Sequence, residues 1–279
     1  MTYHRPSDLT EVLRLAATGA RPLAGGTDIF AAQQGRDLTG EILDLTAVAA
    51  LRGISDTPQG WRIGATTRWS DVTDADLPKA FDALKQAARE VGSVQIQNAG
   101  TVAGNLVNAS PAADGVPALL VLDAVVELAS LRGRRSLPLA DFVTGVRRTA
   151  MHADEIVVAI HIPRASCQGI SAFQKLGARK YLVISIAMVA VRLQLTKGSI
   201  DAAAIAVGAC SAVAQRLPGL EAALVGQSAR QPALWQAALK ADIAAHLSPI
   251  DDIRADAAYR AGAVVELVNR AINAAAGDA

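Results

Sequence analysis

The residues best suited to do chemistry sit in two glycine-bearing loops, residues 24–28 (Ala-Gly-Gly-Thr-Asp) and 100–105 (Gly-Thr-Val-Ala-Gly-Asn). Glycine lets a backbone approach a ligand without side-chain obstruction, and it adopts the positive φ values that turn several N–H groups toward one anion. A helix starting at Thr27 or Asp28, as the Thr-Asp capping signal predicts, adds free amides and the positive end of a dipole. The two loops together can clasp one pyrophosphate from two sides. Neither carries the Gly-x-Gly-x-x-Gly dinucleotide fingerprint, and no Gly-Lys-Ser/Thr phosphate loop is present. Both absences argue against nicotinamide-type Rossmann binding and against an NTPase. Read by itself, the first loop is also a plain strand-to-helix connection. The second says more, because its Asn, Ser and Thr side chains are left with unsatisfied donors and acceptors if buried without a polar ligand.

Other reactive residue types are sparse. Cys167 and Cys210 are the two cysteines, too few for a disulfide scaffold, a four-cysteine zinc site or an iron–sulfur cluster. Any electrons passing through the chain therefore need an organic cofactor. His4, His152, His161 and His246 lack ligand spacing and read as surface or strand-face residues, so no metal site is expected. Arg132, Arg134 and Arg135 read as a solvated hairpin turn, with subunit docking or phosphate contact as the minority view, and Asp251 and Asp252 as helix caps. Tyr181 reads as a packing aromatic. No general acid or base is assigned.

Twenty-seven basic against 26 acidic residues leave a formal charge of +1, so no global field draws in a nucleic acid. An apolar share of 51% with 19% charged residues fits a folded chain of 279 residues and excludes disorder. No apolar run reaches the roughly 18 residues that a membrane helix needs. No signal-peptide core follows the first residues, and a cytoplasmic location is expected.

The elements that must position the loops can be read in order. Residues 8–17 carry Leu9, Val12, Leu13 and Ala16 at helical spacing, capped by Ser7 or Asp8 and stopped at Gly19. A strand then runs into the first loop. Further strands are expected at 42–45, 61–65, 123–130 and 155–162, a helix at 79–91, and a long loop at 95–114. The pattern breaks at 164–169. Beyond it, strands at 184–195 and 200–207 flank a Lys-Gly-Ser turn as a hairpin, and an alanine-rich helical stretch follows from 215.

Five motifs occur in a family's order: Leu23-Ala-Gly-Gly-Thr-Asp28, Arg62-Ile-Gly-Ala-Thr-Thr67, Gln95-Ile-Gln-Asn-Ala-Gly-Thr-Val-Ala-Gly-Asn105, Asn108-Ala-Ser-Pro-Ala-Ala-Asp114 and Ala118-Leu-Leu-Val-Leu-Asp-Ala124. Together they resemble the FAD-binding medium subunit of molybdenum hydroxylases, the family of xanthine dehydrogenase and carbon monoxide dehydrogenase. The resemblance runs from about Tyr3 to Arg270. It implies an α+β protein with a two-subdomain FAD-binding fold at 1–165 (subdomains about 1–53 and 54–165). A C-terminal α+β domain of hairpin sheet and helices is implied at 166–279. It also implies that Arg21, Pro22, Leu23, Ala24, Gly25, Gly26, Thr27 and Asp28, with Gly100, Thr101, Val102, Ala103 and Gly104, hold the pyrophosphate of FAD. Asn105, Ser110 and Asp114 would bind the ribityl chain and nearby hydroxyls, Ile156 the adenine end, and Lys175 would lie near the flavin. Two positions depart from the family pattern: Ala103 stands where a glycine is usual, and Val183 where many relatives carry aspartate.

The implied function is an FAD-carrying electron-transfer subunit of a heterotrimeric molybdenum hydroxylase. Partners would be a small subunit with two-iron iron–sulfur clusters and a large molybdopterin subunit, assembled as a dimer of heterotrimers, with electrons passing to an external acceptor. The competing readings are a stand-alone flavin oxidoreductase and a non-redox nucleotide-binding assembly factor. Neither membrane insertion nor nucleic-acid binding is expected.

Overall fold

The computed structural model describes residues 1–229, 231 and 235–277. The first region runs β1 (Thr2–His4), α1 (Leu9–Ala17), β2 (Arg21–Leu23), α2 (Thr27–Gln33) and β3 (Glu41–Asp44), with the strands parallel in the order β1-β3-β2. The Asp8 carboxylate caps α1 by accepting the Glu11 N–H at 3.1 Å, and Gly19 follows at φ +90. Val12 and Ala16 of α1 join Leu43, Leu45 and Leu51 in a core that also takes in Ala129, Ile156 and Val158 from the next sheet. α2 begins at Thr27, as expected, but its cap is Gly26, at φ +70, because glycine takes the left-handed turn out of β2 without strain.

The second region holds β4 (Ile54–Thr57), β5 (Gly60–Gly64), α3 (Trp69–Asp74), α4 (Asp82–Glu90), α5 (Val94–Ala99), α6 (Val102–Asn108), α7 (Gly115–Leu120), β6 (Val125–Ser130), β7 (Gly133–Pro138), α8 (Leu139–Phe142), β8 (Val143–Gly145), β9 (Arg148–Thr149) and β10 (Ile156–Pro163). Its main sheet is antiparallel, in the order β4-β5-β10-β6-β7. Trp69, Phe81, Leu84, Leu106, Leu119 and Ile160 fill the core between helices and sheet. The expected helix at 79–91 is a 3-10 turn, Lys79–Phe81, followed by α4.

The expected loop at 95–114 is a correction. Most of it is helix, in α5 and α6, with α7 directly after. Ser93 and Thr101 cap these segments by accepting the N–H groups of Ile96 and Gly104, and Val102, Ala103 and Leu106 bury one face of α6. The charge-poor composition that reads as loop is that of short helices, of which α6 and α7 are packed into the core while α5 has no buried residue.

The third region is an antiparallel sheet of β11 (Ile170–Leu176), β12 (Ala187–Thr196), β13 (Ser199–Gly208) and β14 (Gln215–Arg216), followed by α9 (Pro218–Leu224), α10 (Gln236–His246) and α11 (Ala257–Gly277). Lys197 and Gly198 make the hairpin turn with positive φ, as the Lys-Gly pair predicts. The sheet is covered on both faces. Val189, Val191, Ile205 and Val207 face α9–α11, whereas Met188, Ala190, Ala204 and Ala206 belong to the core of the second region. Such double burial explains why 187–191 read as one continuous apolar run. Asp123, at φ +51, pins the junction by receiving Arg192 at 3.0 Å and Arg216 at 2.9 Å. Asp251 accepts the N–H of Ala257, the first residue of α11, and Asp256 accepts that of Tyr259; Asp252 binds Arg254 and Arg260. The α+β class expected from sequence is the class observed. Among the described residues no helix is long and apolar enough to cross a membrane.

Candidate functional site

β2 delivers the chain to Gly25 and Gly26, and β5, through residues 65–67, holds the second loop: Val102 N–H donates to Thr67 O at 3.0 Å and Trp69 N–H to Gly100 O at 3.2 Å. The loops touch. A Cβ on Gly25 would stand 2.0 Å from Ala99 O and 2.8 Å from Gly100 Cα, so the first loop has room only for glycine at that position.

Around this contact opens a cavity of about 490 Å³. Arg21, Pro22, Ala24, Gly25, Gly26, Thr27 and Asp28 line it from one side, and Gly100, Thr101, Ala103, Gly104, Asn105 and Asn108 from the other. Met151, His152, Glu155, Ile156 and Val157 form a third wall; Trp69, Val91 and Ile96 also contribute. Five expected site residues lie outside this lining. Leu23 and Val102 are core, and the Ser110 hydroxyl accepts the Ala112 N–H at 3.3 Å. Asp114 and Lys175 form a buried ion pair at 2.7 Å, with the Ser185 hydroxyl donating to Asp114 at 2.6 Å and the lysine donating to Glu90 O at 3.1 Å. Burial pushes the Asp114 carboxyl up, against the opposing pull of the Lys175 ammonium and the Ser185 hydroxyl. The pair stays close to the cavity: Gly115 follows Asp114 and packs on Trp69 and Asn105, and Glu90 precedes Val91.

The amides divide the two loops. Among the described residues, the N–H groups of Gly25, Gly26 and Thr27 donate to nothing within the chain. In the second loop the Gly100 N–H is spent on Ile96 O, the Val102 N–H on Thr67 O, the Gly104 N–H on the Thr101 hydroxyl and the Asn105 N–H on Thr101 O, which leaves the N–H groups of Thr101 and Ala103 free. Ala103 is 3% exposed, sits in the first turn of α6 and does not take a positive φ, so its methyl is accommodated without strain. The Asn105 side-chain oxygen is buried in the lining without a hydrogen-bond partner.

Both carboxylates in the lining are engaged. Glu155 receives Arg135 through two N–H groups at 2.6 and 2.7 Å and the His152 N–H at 2.8 Å. The Arg135 hydrogen bond outweighs burial and holds the Glu155 carboxyl below the usual range. Arg135 is thus part of the cavity wall's support; exposed Arg132 pairs with Asp154 and also stands 4.0 Å from Glu155, and exposed Arg134 pairs with Glu127. Asp28 accepts from Asn108 at 2.7 Å. Tyr181, expected to pack, is 61% exposed. Val183 packs over Gly177 beside a second cavity of about 540 Å³, bordered by Arg89, Lys175, Arg179 and Lys180. Both cysteines are buried, and burial pushes the Cys210 thiol up to about 11.

Residues 1–165 match the FAD binding domain in molybdopterin dehydrogenase, and residues 171–275 match the CO dehydrogenase flavoprotein C-terminal domain. The chain belongs to the FAD-binding medium-subunit family of the molybdenum hydroxylases. It is 30% identical to the carbon monoxide dehydrogenase medium chain of Hydrogenophaga pseudoflava, over 98% of this chain and 96% of the relative. To the xanthine dehydrogenase FAD-binding subunit of Escherichia coli O157:H7 it is 33% identical, over 74% of this chain and 73% of the relative. A solved structure of quinoline 2-oxidoreductase from Pseudomonas putida 86 superposes with a TM-score of 0.91 at 26% identity, covering 100% of this chain and 97% of that one. This medium subunit is an oxidoreductase component with an FAD-binding domain. Trp69, Met151, Glu155 and Arg135 escape sequence reasoning, since no spacing links them to either loop.

Proposed function

We propose that the medium subunit holds FAD in the 490 Å³ cavity and relays electrons from iron–sulfur clusters of a small partner subunit to an external acceptor. The observation that carries this reading is the pairing of free donors with an orphaned acceptor. Unused amides at Gly25, Gly26, Thr27 and Ala103 suit the diphosphate, and the buried Asn105 oxygen suits a ligand hydroxyl. Arg21, Pro22, Asp28, Gly100, Thr101 and Gly104 shape this cradle, Leu23 and Val102 anchor its two loops in the core, and Ile156 borders the adenine in this reading. Asp114 and Ser110 serve the ribityl hydroxyls, and Lys175 the flavin edge: Ser110 is two residues from Asn108 of the lining, Asp114 precedes Gly115, which packs on Trp69 and Asn105, and Lys175 donates to Glu90 O, next to Val91.

When bound, FAD supplies the electron-carrying chemistry, and the chain supplies binding and electrostatics. The Arg135–Glu155 pair fixes the third wall, the apolar side chains of Trp69, Val91 and Ile96 exclude water, and Lys175 holds the buried Asp114 in place at 2.7 Å. Two buried cysteines cannot ligate the clusters, so these belong to the small subunit, and the molybdopterin to a large one. The assembly is a cytoplasmic dimer of heterotrimers, with residues 1–165 (subdomains about 1–53 and 54–165) as the FAD domain and 166–279 as its C-terminal companion. The purified chain is expected to be yellow and to release FAD, not FMN, on denaturation. A colourless protein that takes up no FAD overturns the reading, and molybdenum or iron in the isolated chain contradicts the division of labour.

A further inference from the structure

Asp28 is a poor neighbour for a diphosphate. It lines the cavity one residue past the free amides of Gly25, Gly26 and Thr27, and like charges repel. No residue of α2 is buried, so packing does little to fix where this carboxylate points. A polar clasp does that instead. The Asn108 Nδ2 group donates to Asp28 Oδ1 at 2.7 Å, while the Arg147 guanidinium donates to the Asn108 side-chain oxygen and, at 3.2 Å, to its backbone oxygen. Because arginine only donates and carboxylate only accepts, the Asn108 amide can satisfy both neighbours in one orientation alone. The guanidinium itself stands 3.9 Å from Asp28 Oδ1. Arg147 is fixed in turn: it adopts φ +57 and its N–H donates to Ala109 O at 2.8 Å, just past the end of α6.

We propose that Arg147 is a positioning residue for the diphosphate site, orienting Asp28 through Asn108 and offsetting its charge so that an anion can rest on the first loop. The proposal depends on FAD occupying the cavity. Arg147 lies outside the lining and works through the carboxylate, which distinguishes it from a ligand contact. Its side chain is 56% exposed, so the effect is moderate and weakens with salt.

The test is a double-mutant cycle on the full 279-residue chain, stripped of flavin and titrated with FAD by fluorescence quenching. Arg147→Ala is expected to weaken FAD binding about three- to tenfold at low salt, and by less at 0.5 M salt. Asp28→Asn removes the like charge and should tighten FAD binding, and adding Arg147→Ala to Asp28→Asn should then change affinity by less than about twofold. Arg147→Gln keeps an N–H donor for Asn108 without the charge and should show part of the loss, with the same rescue. A loss in Arg147→Ala that Asp28→Asn does not rescue, or no loss at all, overturns the proposal. Failure of the wild-type chain to bind FAD instead overturns the placement of FAD.

Discussion

The two glycine loops look alike in sequence and do different work. In the first, glycine is required by geometry: Gly25 meets the Ala99–Gly100 backbone with no room for a Cβ, Gly26 turns at φ +70, and the amides they expose stay free. In the second, the Gly100 and Gly104 amides are consumed by the local helices, and α6 is anchored by Val102, Ala103 and Leu106 in the core. A glycine in a binding motif can therefore mark an open donor or merely a close packing contact, and only the hydrogen-bond inventory separates the two.

This contrast breaks most severely at Gly25. Gly25→Val should drive the loops apart, costing about 2–3 kcal/mol of stability by overpacking and abolishing measurable FAD uptake; urea midpoints and flavin content read both. Asn105→Ala sharpens the contrast from the opposite side. Removing a buried oxygen that has no partner within the chain should leave apo stability within about 1 kcal/mol of wild type while weakening FAD about tenfold; an equal loss in both would deny Asn105 its ligand role. Gly104→Ala should be milder than Gly25→Val, since its Cβ meets only the Thr101 hydroxyl at 2.7 Å and the cost is about that of a helix cap, near 1 kcal/mol. Thermal melts of the two variants compare them directly.

The smallest effect is expected from acid. Glu155 is held below its ordinary range in the folded chain, so its contribution is fully present above the unfolded value near 4.3 and is lost as pH falls through the depressed folded one. The share of FAD retention that rests on Glu155 should therefore stay level down to about pH 5 and fall only below it. In Glu155→Gln that acid limb should flatten, and an unchanged limb assigns it to another carboxylate.

Much of this was legible in sequence because it is local. α1 announces itself through Asp8 and Gly19, and the β12–β13 hairpin through its Lys-Gly turn. The loops that meet at the cavity are marked by glycine and asparagine. What stayed hidden falls into two kinds. Helices as short as α5 and α6, at 6 and 7 residues, span fewer than two turns and cannot display a periodicity. Long-range polar pairs leave no local trace: Arg135 with Glu155 is 20 residues apart, Arg147 with Asn108 39, and Lys175 with Asp114 61. Asp114 could be named as a ligand-binding carboxylate from its motif, but not as the buried partner of a lysine on β11.

The sheet β11–β14 has a bearing on how the chain can be divided. Its strands alternate residue by residue between two hydrophobic interiors, so Met188 and Ala206 close the core that backs the cavity while Val189 and Val207 seal the helical one. A fragment ending near residue 165 would thus keep every cradle residue of both loops yet lose its own back panel, leaving greasy side chains open to water. Such a fragment is a candidate for aggregation, and a severed pair of fragments added together is a better mimic of the intact protein than either half.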